Sequence, residues 1–401
     1  MSEGLKILQV SNRVPFPLNE GGTIGIFNYT RGFSEAGCDV TLFALAAKKH
    51  TIDHEEANSA LSQYADYHVF NIDTDVKVLP AFFNLFSNKS YNVERFYDAN
   101  FERALTNHLK GHDFDIIQIE GTFPARYADC IFQNRKQAKV VLRQHNVEFQ
   151  IWERLAKNST NLLKKWYLNL LSRRLKQFES QHLNQYDALI PVTDDDGDLF
   201  KQMGCTTPVF PSPAGIDTDL WSTSNAEDKQ SIYHIGSLEW MPNVEAVQWF
   251  LDTIWPSLNT AFPNLHFYIA GKGMSDDFKS QRYKNVYMIG EVDSATEFIH
   301  DKGITVVPLK SGSGIRLKIL EAMSAGKLVI SSTIGAQGIN YTDGENLILA
   351  DTADAYVAAF TRVINDDVLY RTIKENARQL IKDKYSNESV IAHLLAFYKT
   401  L

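Results

Sequence analysis

Arg316, Lys318 and Glu321 follow directly on a turn that carries Gly312, Ser313 and Gly314. Two cations beside a glycine turn suit an anion of fixed shape. Arg316 can grip phosphate oxygens with its planar fork, and Lys318 adds a point charge. Lys318 and Glu321, three apart on a helix, share one face. A carboxylate there repels phosphate but accepts hydrogen bonds from a ribose diol. The whole segment, SGSGIRLKILEAMSAGK over 311–327, comes after the apolar run ITVVPL. It reads as a loop at a strand's carboxyl end that leads into a helix. Free N–H groups at a helix start attract anions, and glycine lets the backbone approach them. These features describe a cradle for a nucleoside diphosphate with a ribose anchor. A plain surface helix with a glycine-rich lead-in fits the same letters, and no GxxxxGK[ST] loop occurs.

The elements that must position these residues are legible in the apolar rhythm. KILQV, DVTLFAL, YHVFNI, FDIIQI, KVVLRQ and DALIPV read as strands with helical stretches between them. The rhythm pauses at a linker near Pro211 to Asp228 and restarts with SIYHIGSL, LHFYIAGKG, VYMIGEV, ITVVPL, KLVISS and NLILA. This is the βαβ pattern of parallel, doubly wound sheets. A chain of 401 residues with 44% hydrophobic content suits two domains, 1–213 and 214–401, with the last helix able to pack back on the first. Ligands are expected at the strands' carboxyl ends, in a cleft between the domains. The formal net charge of −8 excludes nucleic-acid binding through overall charge. Cys38, Cys130 and Cys205 lie far apart and form no CxxC pair, which suits a reducing cytoplasm. No run approaches the roughly 18 apolar residues of a spanning helix. A soluble cytoplasmic protein is expected, with peripheral contact at the inner face of the membrane left open.

The glycine turn, LEAMSAGK and LVISS resemble the donor-binding core of the retaining GT-B glycosyltransferases of family four. The resemblance covers nearly the whole chain. VSNRVPFPLNEGGTIGIFNYTRGFSEAGCDVTLFAL resembles the family's first strand, glycine loop and first helix. LRQHNVEFQIWERL resembles its strand ending in a histidine. ESQHLNQYDALIPVTDDDGDLF resembles the elements before the linker, and YHIGSLEWMPNVEAVQWF the opening of the second domain. The implied fold is α/β, two Rossmann-like doubly wound domains facing a central cleft. The implied reaction moves a sugar, with retention, from a UDP- or GDP-sugar to a hydroxyl of a glycan or lipid-linked acceptor. No cofactor and no metal are implied. The GIRxKxLEAM subgroup tends to serve cell-surface polysaccharide assembly. A sugar-nucleotide epimerase of the same fold and a non-catalytic nucleotide-sugar-binding protein stand as alternatives.

The resemblance makes His145, Arg316 and Lys318 the catalytic group. It places Gly22, Gly236, Gly271, Val292, Ser313, Gly314, Ile315, Leu317 and Glu321 around the donor, with Val292 at the nucleobase edge. Two departures stand out. The family's first glutamate of a pair falls on Ser313. Its usual arginine and lysine after the second domain's first strand are absent from GSLEWMPN, residues 236–243. Arg316 and Lys318 are therefore expected to neutralise the diphosphate.

Other residues keep two readings. Asn12 and Arg13 share the loop with Gly22 and either meet the acceptor or face water. Glu120 ends FDIIQIE as an acceptor contact or a solvated loop carboxylate. Lys272 sits near phosphate or in a plain strand-exit turn. Asp194 and Asp196 form a DxD, but Thr193 and Asp196 make a helix cap, the favoured reading. His108 and His112 share a helical face without a visible third ligand and read as surface histidines. NLLKKWYLNLLSRRLKQF, residues 161–178, is basic without an acid. Its apolar stripe either packs on the domain or rests on an anionic membrane.

Overall fold

The computed structural model describes residues 4–18, 21–48, 54–221, 227–312 and 314–401. Ser313 lies outside them. The first six apolar runs form β1 (Lys6–Ser11), β2 (Asp39–Ala47), β3 (Asp66–Ile72), β4 (Ile116–Glu120), β5 (Lys139–Gln144) and β6 (Ala188–Pro191). They pair in parallel in the order β3-β2-β1-β4-β5-β6. The second six form β7 (Asp228–Ile235), β8 (His266–Ala270), β9 (Val286–Gly290), β10 (Lys302–Val307), β11 (Leu328–Ser331) and β12 (Ile348–Leu349). Their order, β12-β11-β10-β7-β8-β9, is the same arrangement read from its other edge, again parallel. The fold is two Rossmann-like, doubly wound α/β sheets, as expected.

Helices cover both faces, so the strands are buried on both sides and read as near-continuous apolar runs. Alternate residues of one strand enter different cores. Leu8 and Val10 join Ile117 and Ile119 on one face, while Ile7 joins Leu42 and Val141 on the other. The helices of the first half that matter here are α1 (Gly21–Glu35), α2 (Val78–Asn84), α3 (Ala99–Gly111), α4 (Glu148–Lys157), α5 (Leu162–Gln181) and α6 (Asp194–Gln202). In the second half they are α7 (Met241–Trp249), α8 (Ala295–Ile299), α9 (Leu317–Ser324) and α10 (Asn387–Tyr398).

The chain forms two compact units, residues 1–215 with 390–401, and residues 216–389. Within the second unit, Ile216 N donates to Tyr385 O at 2.7 Å and Asn387 N donates to Ile216 O at 2.9 Å. The chain thus enters and leaves that unit side by side. Val390, Ile391 and Leu394 of α10 are buried against Ile7, Val40 and Leu42 of the first unit. In each sheet the strand order reverses between two neighbours, β1 and β4, or β7 and β10. Helices diverge there, and the carboxyl ends of those strands are left open for ligands.

Candidate functional site

In the second unit, the loop after β10 leads to Arg316, the residue that starts α9. Gly312 has φ +125°, and a Cβ on it would stand 2.6 Å from Arg316 Nη2. Both the left-handed backbone and the guanidinium demand glycine there. Arg316 is buried and folded back on its own loop. Its Nη1 donates to Gly314 O at 2.6 Å, and its guanidinium carbon lies 5.6 Å from the Trp240 ring centre. Ile315 and Leu317 are half-buried and pack against the cluster that contains Ile319, Leu320 and Ala246.

Lys318 and Glu321 point elsewhere. They line a cavity of about 190 Å³ with Gly236, Trp221, Ile235 and Ile299. Lys318 Nζ donates to Asn243 Oδ1 of α7 at 2.9 Å and meets His234 Nε2 at 3.3 Å. His234 ends fully buried on β7, and its Nδ1 contacts Val306 O at 3.0 Å. A carbonyl can only accept, so Nδ1 carries the proton and Nε2 offers its lone pair to Lys318. Burial first, and then the Lys318 charge, hold His234 far below the usual imidazole range. Burial, reinforced by Arg316, pulls the Lys318 ammonium down to about 7. Burial likewise pushes the Glu321 carboxyl up to about 7, opposed by Lys318. A cation and a carboxyl thus share the cavity wall, and the hydrogen-bond partners of the cation are neutral.

Gly236 and Gly271 are there for clearance. A Cβ on Gly236 would overlap Lys318 Nζ, and one on Gly271 would overlap the carbonyl of Gly236. Val292 lies in the loop before α8, but α8 itself, through Ala295 and Ile299, reaches the cavity. Lys272 is exposed, and its carbonyl accepts from Leu238 N at 2.7 Å.

The first unit gathers a different constellation at the ends of β4 and β5. Glu120 is 1% exposed. It is therefore not the solvated loop carboxylate that its place in sequence suggests, nor is it open to an acceptor. It accepts from Gln9 Nε2 at 3.1 Å, Arg143 Nη1 at 3.0 Å, His145 Nε2 at 2.8 Å, and Gln118. Burial opposes its charge, but Arg143 and the His145 hydrogen bond outweigh it and hold the carboxyl at about 2. Arg143, also fully buried, stacks 3.6 Å from the centre of the Tyr29 ring. His145 is partly exposed, and burial followed by the Arg143 charge lowers its pKa. Nε2 faces an ionised acceptor and so carries the proton, which leaves Nδ1 as the acceptor nitrogen.

Gly21 and Gly22 lie in the first turn of α1 rather than in the loop with Asn12 and Arg13. A Cβ on Gly22 would stand 3.1 Å from Arg13 Nη1, so glycine leaves room for that guanidinium. Asn12 and Arg13 are partly exposed just after β1. The sequence reading missed Arg143 and Glu148. A charged residue inside the apolar run KVVLRQ was the available signal for the first. Glu148 opens α4 at the end of β5, and burial, opposed by Arg13, pushes its carboxyl up to about 7. Glu179, buried on α5, accepts from the N–H groups of Glu148 and Phe149, each at 3.1 Å, and so caps α4 from outside it.

Two further motifs have a local structure. Thr193 Oγ1 accepts from Asp196 N at 3.0 Å, so TDDDGD is the cap of α6. His108 groups with Asp66 and His68, not with His112: these three bring ligand atoms within 4.8 Å of one another on the edge strand β3 and α3. His108 also stacks on His112, ring centres 4.0 Å apart.

Two parallel sheets of identical strand order, each with charged residues at its switch point, are the sheet plan of the GT-B fold. The Glycosyltransferase Family 4 model matches residues 20–220, half of the chain, and Glycosyl transferases group 1 matches residues 229–366. The chain belongs to glycosyltransferase family 4. It is 23% identical to a 44.6 kDa protein in the cps region of Klebsiella pneumoniae over 97% of this chain and 98% of that one. It is 27% identical to a phosphatidyl-myo-inositol mannosyltransferase of Mycolicibacterium smegmatis over 36% of this chain and 39% of that one. Anabaena Alr3699/HepE, solved in complex with UDP, superposes with TM-score 0.68 at 14% identity, covering 99% of this chain and 100% of that one. Sucrose-phosphate synthase of Thermosynechococcus elongatus superposes with TM-score 0.65 at 15% identity, covering 98% of each chain. Among the described residues no helix is long and apolar enough to cross a membrane.

Proposed function

We propose that this glycosyltransferase moves a hexosyl group, with retention and without a metal, from a UDP- or GDP-sugar to a hydroxyl of a glycan or lipid-linked acceptor. It does so in the cytoplasm, in the assembly of a cell-surface polysaccharide. The observation that carries this reading is Lys318 beside Glu321 on the cavity wall, the lysine held by the neutral Asn243 and His234. An ammonium placed in that way has charge to give to a diphosphate. Arg316 and the N-terminus of α9 reinforce it as negative charge develops on the leaving group. Glu321 accepts from the ribose diol. In a retaining transfer the leaving diphosphate helps take the acceptor's proton on the same face, so the chain's task is positioning and charge stabilisation. His145 meets the donor sugar through the partly exposed side of its ring, with Glu120 and Arg143 fixing its orientation. Asn12 and Arg13 lie on the acceptor side. The cps-region relative supports the polysaccharide role, and the UDP complex of the Anabaena neighbour supports a UDP donor.

The test is incubation with a panel of UDP- and GDP-sugars, with and without glycan and lipid-linked acceptors, in EDTA. Nucleoside diphosphate released only with acceptor, and a product that keeps the donor's anomeric configuration by NMR, support the proposal. Donor isomerised without acceptor supports the epimerase reading. Nucleotide binding by thermal shift without turnover supports a non-catalytic binding protein. The family match favours neither alternative.

A further inference from the structure

Two helices of the first unit leave large apolar side chains in water. On α2 and its exit these are Leu79, Phe82, Phe83 and Phe86; on α5 they are Leu162, Leu163 and Trp166, and all are 53–81% exposed. The two sets belong to one surface. Arg174 of α5 is buried and donates to the carbonyls of Asn84 and Leu85, both at 2.9 Å, at the end of α2. Near the start of α2, Lys77 N donates to Tyr91 OH at 3.0 Å, and the helical turn Tyr91–Glu94 packs on α5. So α2 is fastened alongside α5 at both ends. The inward side of α5 is occupied by Leu168, Leu171 and Leu175. The packed stripe is real, therefore, but it is not the stripe that carries Leu163 and Trp166.

The two segments that build this surface carry cations only, with acids where they end, at Asp75, Glu94, Glu153 and Glu179. Residues 76–93 and 154–178 contain no Asp or Glu in a chain of net charge −8. Arg174 is spent inside, and Lys176 lies 4.9 Å from the centre of the Phe149 ring. Lys157, Lys164, Lys165 and Arg173 remain exposed around the aromatic patch. A second copy of the chain on this face would set these cations against themselves across a two-fold axis. An anionic bilayer matches both parts at once, with apolar side chains at the headgroup–acyl boundary and lysines among the headgroups.

We propose that α2, its exit turn and the N-terminal half of α5 form a docking face that seats the first unit on an anionic membrane. The proposal goes beyond glycosyl transfer and does not depend on it. It is read without nucleotide, by sedimentation of the full chain with phosphatidylcholine vesicles with and without phosphatidylglycerol. Binding is expected only to the anionic vesicles and falls steeply as salt shortens the reach of the charges. The F82S/F83S/F86S variant, all at exposed positions, should lose about tenfold in vesicle affinity while keeping the wild-type melting temperature. K164Q/K165Q/R173Q should lose the preference for anionic lipid and its salt dependence. Absence of sedimentation with anionic vesicles at low salt would overturn the proposal. So would undiminished binding by the phenylalanine variant, or dimerisation through this face without vesicle binding.

Discussion

The two units place charge at the same point of the same topology and treat it oppositely. At the switch point of the first sheet, Glu120 and Arg143 neutralise each other in full burial, with His145, Gln9 and Gln118 filling the remaining lone pairs. At that of the second, Lys318 faces a cavity with neutral partners, and Glu321 beside it has its carboxyl pushed upward. A closed pair of this kind can hold another side chain but has little charge left for a ligand. The open arrangement strains its own ionisation and is relieved when an anion enters. The comparison separates a positioning cluster from a binding one without reference to any relative.

The largest effect should come from opening the closed pair. Glu120→Ala leaves Arg143 buried without its carboxylate, which costs about 3–5 kcal/mol of stability. Chemical denaturation reads this directly, and a stability within about 1 kcal/mol of the parent would break the contrast. Lys318→Met is the mirror experiment. It should leave stability nearly unchanged, because a strained cation is removed, yet weaken nucleoside diphosphate binding by about 1.5–3 kcal/mol in calorimetry. A variant that unfolds but still binds would reverse the two roles.

A pH titration sharpens the same point. Lys318 titrates near 7 in the free chain, and a bound diphosphate favours its protonated form. Affinity is then full below about pH 7 and falls as pH rises through it, approaching about tenfold per unit. The fall should shrink in Lys318→Met, leaving the repulsion from Glu321 as its carboxyl ionises through the same range, and should begin at lower pH in Glu321→Gln, where Lys318 loses the carboxylate that raises its pKa. The smallest effect belongs to Glu321 itself. Glu321→Gln should erase about 0.5–1.5 kcal/mol of preference for ribo- over 2′-deoxyribonucleoside diphosphates, measured by competition. Equal affinity of the parent for both sugars would remove the ribose role.

Much of the second site was legible because its parts are neighbours in sequence. Gly312, Arg316, Lys318 and Glu321 lie on one loop and one helix, so spacing alone puts Lys318 and Glu321 on a shared face. Spacing did not say which cation meets the cavity; Arg316 folds back on Gly314 and Trp240 while Lys318 lines the wall. The first site was scarcely legible. Glu120 and Arg143 are 23 residues apart on adjacent strands, and a carboxylate closing an apolar run looks the same whether it ends in water or in a core. The exposure of Phe82, Phe83 and Phe86 was not legible at all, since nothing in three phenylalanines says that a short helix and its exit leave them in solvent.

The sequence by itself determined the twelve parallel strands of the described residues, the repeat of one βαβ plan and the glycine turns, because periodicity and backbone freedom are local properties. Tertiary structure decided the rest. The contact of Lys318 with His234, 84 residues away, exists only because β7 and β10 are neighbours in the second sheet. The exposed face of α2 exists only because Arg174 holds that helix against α5. Pairing and burial depend on which strands and helices become adjacent, and adjacency is set by the whole fold.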